Sequence, residues 1–279
     1  MIRSMEAPSY RWPNGARLAV MLTVMFEAWT EGKAPPYSPM TSPLREGTLD
    51  LQGIQWAEYG GRTGVHRFLR IFESFGVHAT FGINARAAEL FPGTVQAVAE
   101  SGHEIAGHGY TQDGFMPYLS RKKERALIRR CTEILTTIGG VRPTGWASPR
   151  MTPTPHTAEL LVAEGYRWHG DYHDADLPYI VTTKKGPIVA LAHSDFTDNR
   201  VLRGSPRTFF ELYRDTAAFL HAREPGGVMN VTMHAHFGGR PPMAAMLVEV
   251  LSELRKLGEI WFPRHDELAA HVFEGHNAR

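Results

Sequence analysis

Cysteine is almost missing from this chain: its 279 residues contain one, Cys131. A lone thiol excludes an intrachain disulfide and any zinc cluster built on cysteine, and it fits a reducing compartment. Cys131 falls in a charged helical pattern with no His or Asn pairing visible near it, so a structural thiol is expected rather than a nucleophile. Charge of one sign is also lacking. Lys and Arg number 30 against 29 Asp and Glu, a formal net charge of +1. That balance gives no argument for nucleic acid or an anionic membrane as partner. Long hydrophobic runs are absent too. The N-terminal MIRSMEAPSYRWPNG has no continuous apolar core, and the stretch Leu18–Phe26 is far too short to span a bilayer. These absences predict a soluble cytoplasmic protein with no nucleic-acid or membrane partner. Internal repeats and low-complexity linkers are missing as well, so nothing marks a domain boundary.

What remains is the alternation of two kinds of segment. Residues 17–26, RLAVMLTVMF, read as a buried strand, being short, apolar and rich in β-branched residues. Residues 30–58 read as a long loop with PP and SP steps, and loops of that length often cover a site. Helical spacing follows at 64–75, a strand at 78–84 and a helix at 92–101. A charged amphipathic helix covers 119–137, with Ser120 placed to cap it. Further strands are expected at 144–147, 186–192, 228–233 and 259–262. Helices are expected at 155–164, at 206–222 after a Ser205 cap, at 242–257 and from His265 onward. Repeated β-then-α order predicts a mostly parallel sheet. About seven such units favour a closed or nearly closed barrel over an open sheet.

On such a scaffold the residues just past each strand converge on one face. Here these positions are rich in acids, imidazoles and guanidinium groups: Glu27, Trp29, Asn84, His108, Tyr110, Gln112, Asp113, Ser148, Arg150, Asp171, Tyr172, Asp174, Asp176, His193, Asp195, Asp198, Asn199, His234, His236, Arg240, Trp261 and Arg264. Solvated loops are polar as well, but acids and bases gathered at strand ends rather than along strands suit an enzyme pocket. Glu27, at the mouth of an apolar core, either ends a strand at the surface or sits desolvated as a base or cation ligand. His108, flanked by Gly107 and Gly109, suits a ligand, a general base or a structural role. His234 and His236 alternate, so one faces inward. His234, nearer the apolar run, is the expected one, with His236 packed behind it. Arg240 either grips a carboxylate or carbonyl or forms a structural ion pair. The aspartates of DYHDADLPY lack EF-hand spacing and do not argue for calcium.

VMFEAW, EYGGRTGVHRFL, ATFGINA, GHEIAGHGYTQ, PTGWASPR, GYRWHGDYHDADLPY, MHAHFGGRPP and IWFPRHDELA, in this order, resemble the polysaccharide deacetylase family (carbohydrate esterase family 4). The resemblance runs from about residue 17 to the last helix. It is nearest the branch of cytoplasmic allantoinases and cyclic imidases. It implies a single distorted (β/α) barrel domain over 1–279, a cytoplasmic location and a homodimer or homotetramer. In the family's metal-dependent members an Asp-x-Asp pair supplies base and ligand, two histidines four apart complete the ligands, and a late histidine is the general acid. This chain has Met25 at the base position, Glu27 at the ligand Asp, His108 at the first ligand histidine and Gln112 at the second. His234 keeps the general-acid position and Arg240 a motif arginine. An amide is a poor zinc ligand. The resemblance therefore implies no cofactor, a weakly held divalent metal, zinc first, on Glu27 and His108, or a metal held by a reshuffled set such as Glu27, His108 and another histidine.

The expected function is hydrolysis of a non-peptide C–N bond in a small cyclic amide, imide or ureide. Glu27, His108, His234 and Arg240 are the expected catalytic residues. Trp29, Gln112, Ser148, Asp171 and Tyr172 are the expected substrate-binding residues. Two other readings stand beside it: metal-dependent N-deacetylation of an amino sugar or peptidoglycan, and a catalytically silent binding protein.

Overall fold

The computed structural model describes residues 10–194 and 196–277. Its centre is β1, Leu18–Phe26, in which all nine residues are buried. Two parallel neighbours flank it, β2 (Thr80–Ile83) and β8 (Gly227–His234). The sheet continues from β2 through β3 (Glu104–Gly107), β4 (Gly145–Trp146), β5 (Trp168–Tyr172) and β7 (Gly186–Ala192) to β6 (Tyr179–Thr183). The short β9 (Ile260–Trp261) pairs with the start of β1. All pairings are parallel except β6–β7, an antiparallel hairpin. The result is a curled half-barrel rather than a closed one: β6 and β8 stand at its two ends. Side chains bridge that gap. Asn230 on β8 donates to the Ala192 carbonyl of β7 at 3.4 Å.

Alternation along β1 sets the two faces of the sheet. Leu18, Val20, Leu22, Val24 and Phe26 pack outward in the main core with Phe68, Phe72, Phe81 and Leu247. Ala19 and Met21 face inward with Trp168, Leu191 and Leu268, and Thr23 and Met25 follow them into the barrel interior. Glu27 is the next member of that inward series, so strand geometry alone carries its carboxylate to the barrel mouth. Register does the rest. Phe26 pairs with Ile83 and Ile83 with Gly107, so Glu27, Asn84 and His108 follow at one level. Met25 pairs with His234 across the other edge.

The helices are α1 (Leu51–Tyr59), α2 (Val65–Phe75), α3 (Ala85–Leu90), α4 (Pro92–Glu100), α5 (Arg121–Gly139), α6 (Thr157–Ala163), α7 (Pro206–Arg223), α8 (Pro241–Leu257) and α9 (His265–Asn277). They cover the outer face, except the last, α9, whose Leu268, Ala269 and Val272 pack on the inward cluster of Ala19 and Met21. Ser120 and Ser205 do cap their helices, accepting from the Lys123 and Arg207 amides. The expected 30–58 loop ends at Asp50, whose side chain caps α1 by accepting from the Gly53 amide. A π-helical turn, Gly60–Gly64, joins α1 to α2. It lets the helix press its backbone against the segment that follows β8: a methyl group on Gly64 would lie 2.0 Å from the Ala235 carbonyl oxygen. Neither α3 nor β5 and β6 has a counterpart among the expected elements; for the two strands, DYHDADLPY looks like an acidic loop and only its two ends are extended.

Cys131 is buried on α5 against Trp146 and Leu161, and burial pushes its thiol up to about 12. Among the described residues no helix is long and apolar enough to cross a membrane.

Candidate active site

A cavity of about 540 Å³ opens at the mouth of the half-barrel. Glu27, His108, Gln112, His193, His234, Tyr37 and Arg150 are among its lining residues. Glu27 is 5% exposed and His108 2%. The Glu27 carboxylate is ringed by imidazoles: Oε1 lies 3.6 Å from His108 Nε2 and 3.7 Å from His234 Nε2, and Oε2 lies 3.8 Å from His236 Nδ1. Burial alone would raise its pKa. The charge of His234, the contact with His108 and the field of His236 outweigh burial and hold the carboxyl at about 2. Glu27 is therefore an anion at any working pH.

His234 carries the matching positive charge. Its Nδ1 lies 2.6 Å from Asp198 Oδ1, and its backbone N–H donates to Asp198 Oδ2 at 2.8 Å. Burial would lower this imidazole, but Asp198 first and Glu27 second lift it to about 9. Asp198 is fully buried, so its charge acts with little screening. The imidazolium's free edge, Nε2, faces the cavity. Linkage follows from the sign of the shift. The stability contributed by this ion pair is complete below the ordinary imidazole value of 6.5 and is lost as pH rises through about 9.

His108 is held differently. Its Nδ1 lies 2.8 Å from the Ala147 carbonyl oxygen, which can only accept, so Nδ1 carries the proton in the neutral ring. The other nitrogen, Nε2, then presents a lone pair. That atom is buried without a hydrogen-bond partner, and so is Gln112 Oε1. Two unsatisfied acceptors at the floor of a polar cavity suit a ligand that brings N–H or O–H donors. His193 also lines the cavity, and burial followed by the nearby imidazoles lowers it to about 3, so it is neutral.

Tyr37 had no sequence signal. It comes from the long loop, and its hydroxyl lies 3.4 Å from Glu27 Oε2 and 3.2 Å from His236 Nε2. The phenol donates to the carboxylate, and the same hydroxyl meets the His236 ring beside the cavity. Its acidity is suppressed by burial and by Glu27, so it stays a neutral donor. Tyr37→Phe is expected to lower kcat by about tenfold, on the scale of one lost polar contact in a dry site. Steady-state kinetics checks this, and an unchanged kcat would make Tyr37 a mere wall.

His236 is 1% exposed and packs behind Glu27 against Trp29 and Trp56, as its place next to the inward His234 suggested. Other expected site residues lie elsewhere. Arg240 does not line the cavity. Its Nε donates to the His236 carbonyl at 3.0 Å and its Nη2 to the Trp56 carbonyl at 3.1 Å, while the guanidinium stacks on Tyr59. It fastens α1 to the segment after β8, so a catalytic placement is corrected to a structural one. Trp29 is buried edge-on to His236 and Tyr37 rather than lining the cavity. Asp171 accepts from the Ser148 amide at 2.8 Å and pairs with His169 Nε2 at 2.8 Å. Burial would raise its pKa, but His169 holds it below the usual range. Ser148 in turn accepts from Trp146 Nε1, and Tyr172 stacks edge-on with His169 and Tyr179. None of these four reaches the cavity; of the expected binding residues only Gln112 does. Trp29, Ser148 and Asp171 are buried and Tyr172 is half-buried, because a polar residue at a strand end can bind its own neighbours instead of meeting solvent. Asp195 lies outside the described residues.

The donor set does not complete the metal site implied by the resemblance. Glu27 and His108 are good donors. The third position is the amide of Gln112, and His234 is held as a proton donor rather than a lone pair. Among the described residues no group of three His, Cys, Asp or Glu is disposed to hold a metal.

Comparison with known proteins agrees with the fold. The polysaccharide deacetylase family model matches residues 57–169. A peptidoglycan deacetylase of Helicobacter pylori is 27% identical over 124 residues, which cover 44% of this chain and 42% of that protein. The chain thus spans less than half the length of that curated relative. The structure of Puue allantoinase superposes with a TM-score of 0.87 at 28% identity, covering 98% of this chain and 95% of that one. A probable polysaccharide deacetylase from Pseudomonas aeruginosa PAO1 gives 0.86 at 28% identity, covering 97% and 95%.

Proposed function

We propose that this chain, which belongs to the polysaccharide deacetylase family, is an amidohydrolase that opens a small cyclic amide, imide or ureide by hydrolysing its C–N bond. The observation that carries this reading is the triangle of Glu27, His108 and His234: an anion, a free lone pair and an imidazolium within 3.7 Å of one carboxylate oxygen. The allantoinase likeness over nearly the whole chain supports it.

A water seated against Glu27 Oε1 and His108 Nε2 can donate one hydrogen to each once that pair, 3.6 Å apart here, opens slightly. As its oxygen bonds to the substrate carbonyl carbon, His108 Nε2 takes the proton. Glu27 stays ionised, orients the water and stabilises the imidazolium forming on His108. Tyr37 donates to the developing oxyanion. The C–N bond then breaks, and His234 Nε2 gives its proton to the leaving nitrogen. Net, one water adds across the bond, and solvent exchange returns the proton from His108 to His234. Gln112 Oε1 accepts from a ring N–H. With two good donors only, a divalent ion such as zinc would be held weakly on Glu27 and His108, and the steps above do not use it.

The test is ring opening across a panel of hydantoins, imides and ureides, followed by the loss of ultraviolet absorbance and by product mass. Turnover of one class supports the reading, and no turnover across the panel rejects it. The same carbonyl chemistry suits an N-acetyl group, and the peptidoglycan deacetylase relative favours that second reading. Acetate release from acetylated glycan oligomers, stimulated by zinc or cobalt, would put it first. If His234 is the acid, kcat falls as pH rises through about 9. In Asp198→Asn that limb moves to lower pH, because Asp198 is the larger of the two charges that lift the imidazole. A pH–rate profile of both proteins checks this, and an unmoved limb would take the acid role from His234.

A further inference from the structure

We propose that the cavity selects a substrate carrying a carboxylate, gripped by Arg150 and Arg200 at its mouth. The proposal deepens the amidohydrolase reading and rests on it for the ring chemistry alone. Both arginines line the cavity, both are exposed, and neither has an ion-pair partner among the described residues. Most other arginines with a carboxylate nearby are engaged, as Arg121, Arg125, Arg129 and Arg207 are. Among the described residues lining the cavity, Glu27 is the one carboxylate, and it is turned among His108, His234 and His236 rather than toward either arginine. Two guanidinium charges are left over, facing the space where substrate must sit.

Arg150 is presented by a built turn. Arg150 and Met151 both have φ of 52°, left-handed backbone that is strained for a side-chain-bearing residue. Two consecutive residues in that region persist only when the surroundings impose it. Here Asp171 accepts from the Ser148 amide, and the Met151 amide donates to the Ser148 carbonyl at 2.9 Å. Pro149 sits so close over Gly109 that a methyl group there would meet its ring at 2.4 Å. The guanidinium carbon of Arg150 lies 5.9 Å from the Tyr37 ring centroid, so the fork stands beside the phenol that borders Glu27. Arg200 is brought by the short helical turn Asp198–Val201, the same turn whose Asp198 grips His234. The two arginines are thus tied to opposite halves of the catalytic group, one through the turn after β4 and one through the turn before α7. A planar fork suits a carboxylate, and a charge-assisted contact of that kind outweighs a neutral one.

The experiment compares hydantoin with hydantoin-5-acetate, which share a ring and differ by one carboxymethyl group. The expected result is a kcat/KM at least about tenfold higher for the carboxylate, expressed mainly in KM and weakened by added salt. Arg150→Gln and Arg200→Gln should each remove most of that preference, with circular dichroism and thermal unfolding checking that each variant folds. Equal use of the two rings, or a preference that survives both substitutions, overturns the proposal. Binding to Glu27→Gln, read by calorimetry, separates this idea from the reaction itself. If neither ring is opened by the native enzyme but the carboxylated ring binds at least tenfold tighter than the neutral one, and Arg150→Gln and Arg200→Gln abolish the difference, the anion site stands and the hydrolytic reading falls. If the two rings bind alike, the anion site falls.

Discussion

Replacing Glu27 by glutamine is expected to cut kcat by about a thousandfold or more, within the range seen when a general acid–base group is lost. The substitution keeps the shape and one acceptor oxygen but removes the charge. Three losses coincide. The water between Glu27 and His108 loses its ionised acceptor. The imidazolium forming on His108 during attack loses its counter-charge. His234 loses one of the two carboxylates that keep it protonated, so its acid form disappears at lower pH. The fold should persist, because Asp198 still pairs with His234 and the amide still fits among His108, His236 and Tyr37. Kinetics of the variant beside its thermal unfolding curve is the measurement. A kcat within about threefold of the native value in a folded variant would remove Glu27 from the chemistry and leave the imidazoles alone responsible.

Gly64→Ala is expected to destabilise the protein by about 1–2 kcal/mol, a drop of roughly 2–8 °C in Tm. Two effects oppose each other here. Gly64 has ordinary right-handed helical backbone, with φ of −61°, so alanine should help the helix by about 1 kcal/mol. The new methyl, however, would stand 2.0 Å from the Ala235 carbonyl oxygen, and Gly239 is also within contact. Backbone cannot rotate away as a side chain can, and overpacking of this kind costs about 1–3 kcal/mol or more. The clash wins. It also pushes on the segment that carries His234 and His236, so kcat should fall with stability. Calorimetry or a thermal melt decides it, and an unchanged or raised Tm would mean that the helix moves aside freely.

The half-barrel was legible because its signals are local. Nine buried residues in β1, the serine caps before α5 and α7, and the β-then-α rhythm each follow from short-range chemistry. Glu27, His108 and His234 were legible as strand-end residues and as family positions, and the register of β1 with β2 and β8 brings them together. What stayed hidden depends on long-range placement. Tyr37 sits in a loop without a periodic pattern, and it meets His236 across 199 residues of chain. Arg240 looked chemical because it follows a histidine-bearing strand end, yet backbone carbonyls take its donors. Asp171 and Ser148 looked like binding groups, yet they spend their hydrogen bonds on each other and on His169 and Trp146 of the adjoining strands. A polar residue in a sequence does not announce whether its partner is a ligand or its own backbone.

The sealed thiol of Cys131 has a practical side. Buried on α5 with its proton held up to about 12, it offers maleimides and mild oxidants almost no thiolate at neutral pH. The native chain is in effect a blank background for thiol chemistry. Met151→Cys, at the cavity rim, would therefore give one addressable position, and a fluorophore placed there could report ligand entry without any second cysteine having to be removed.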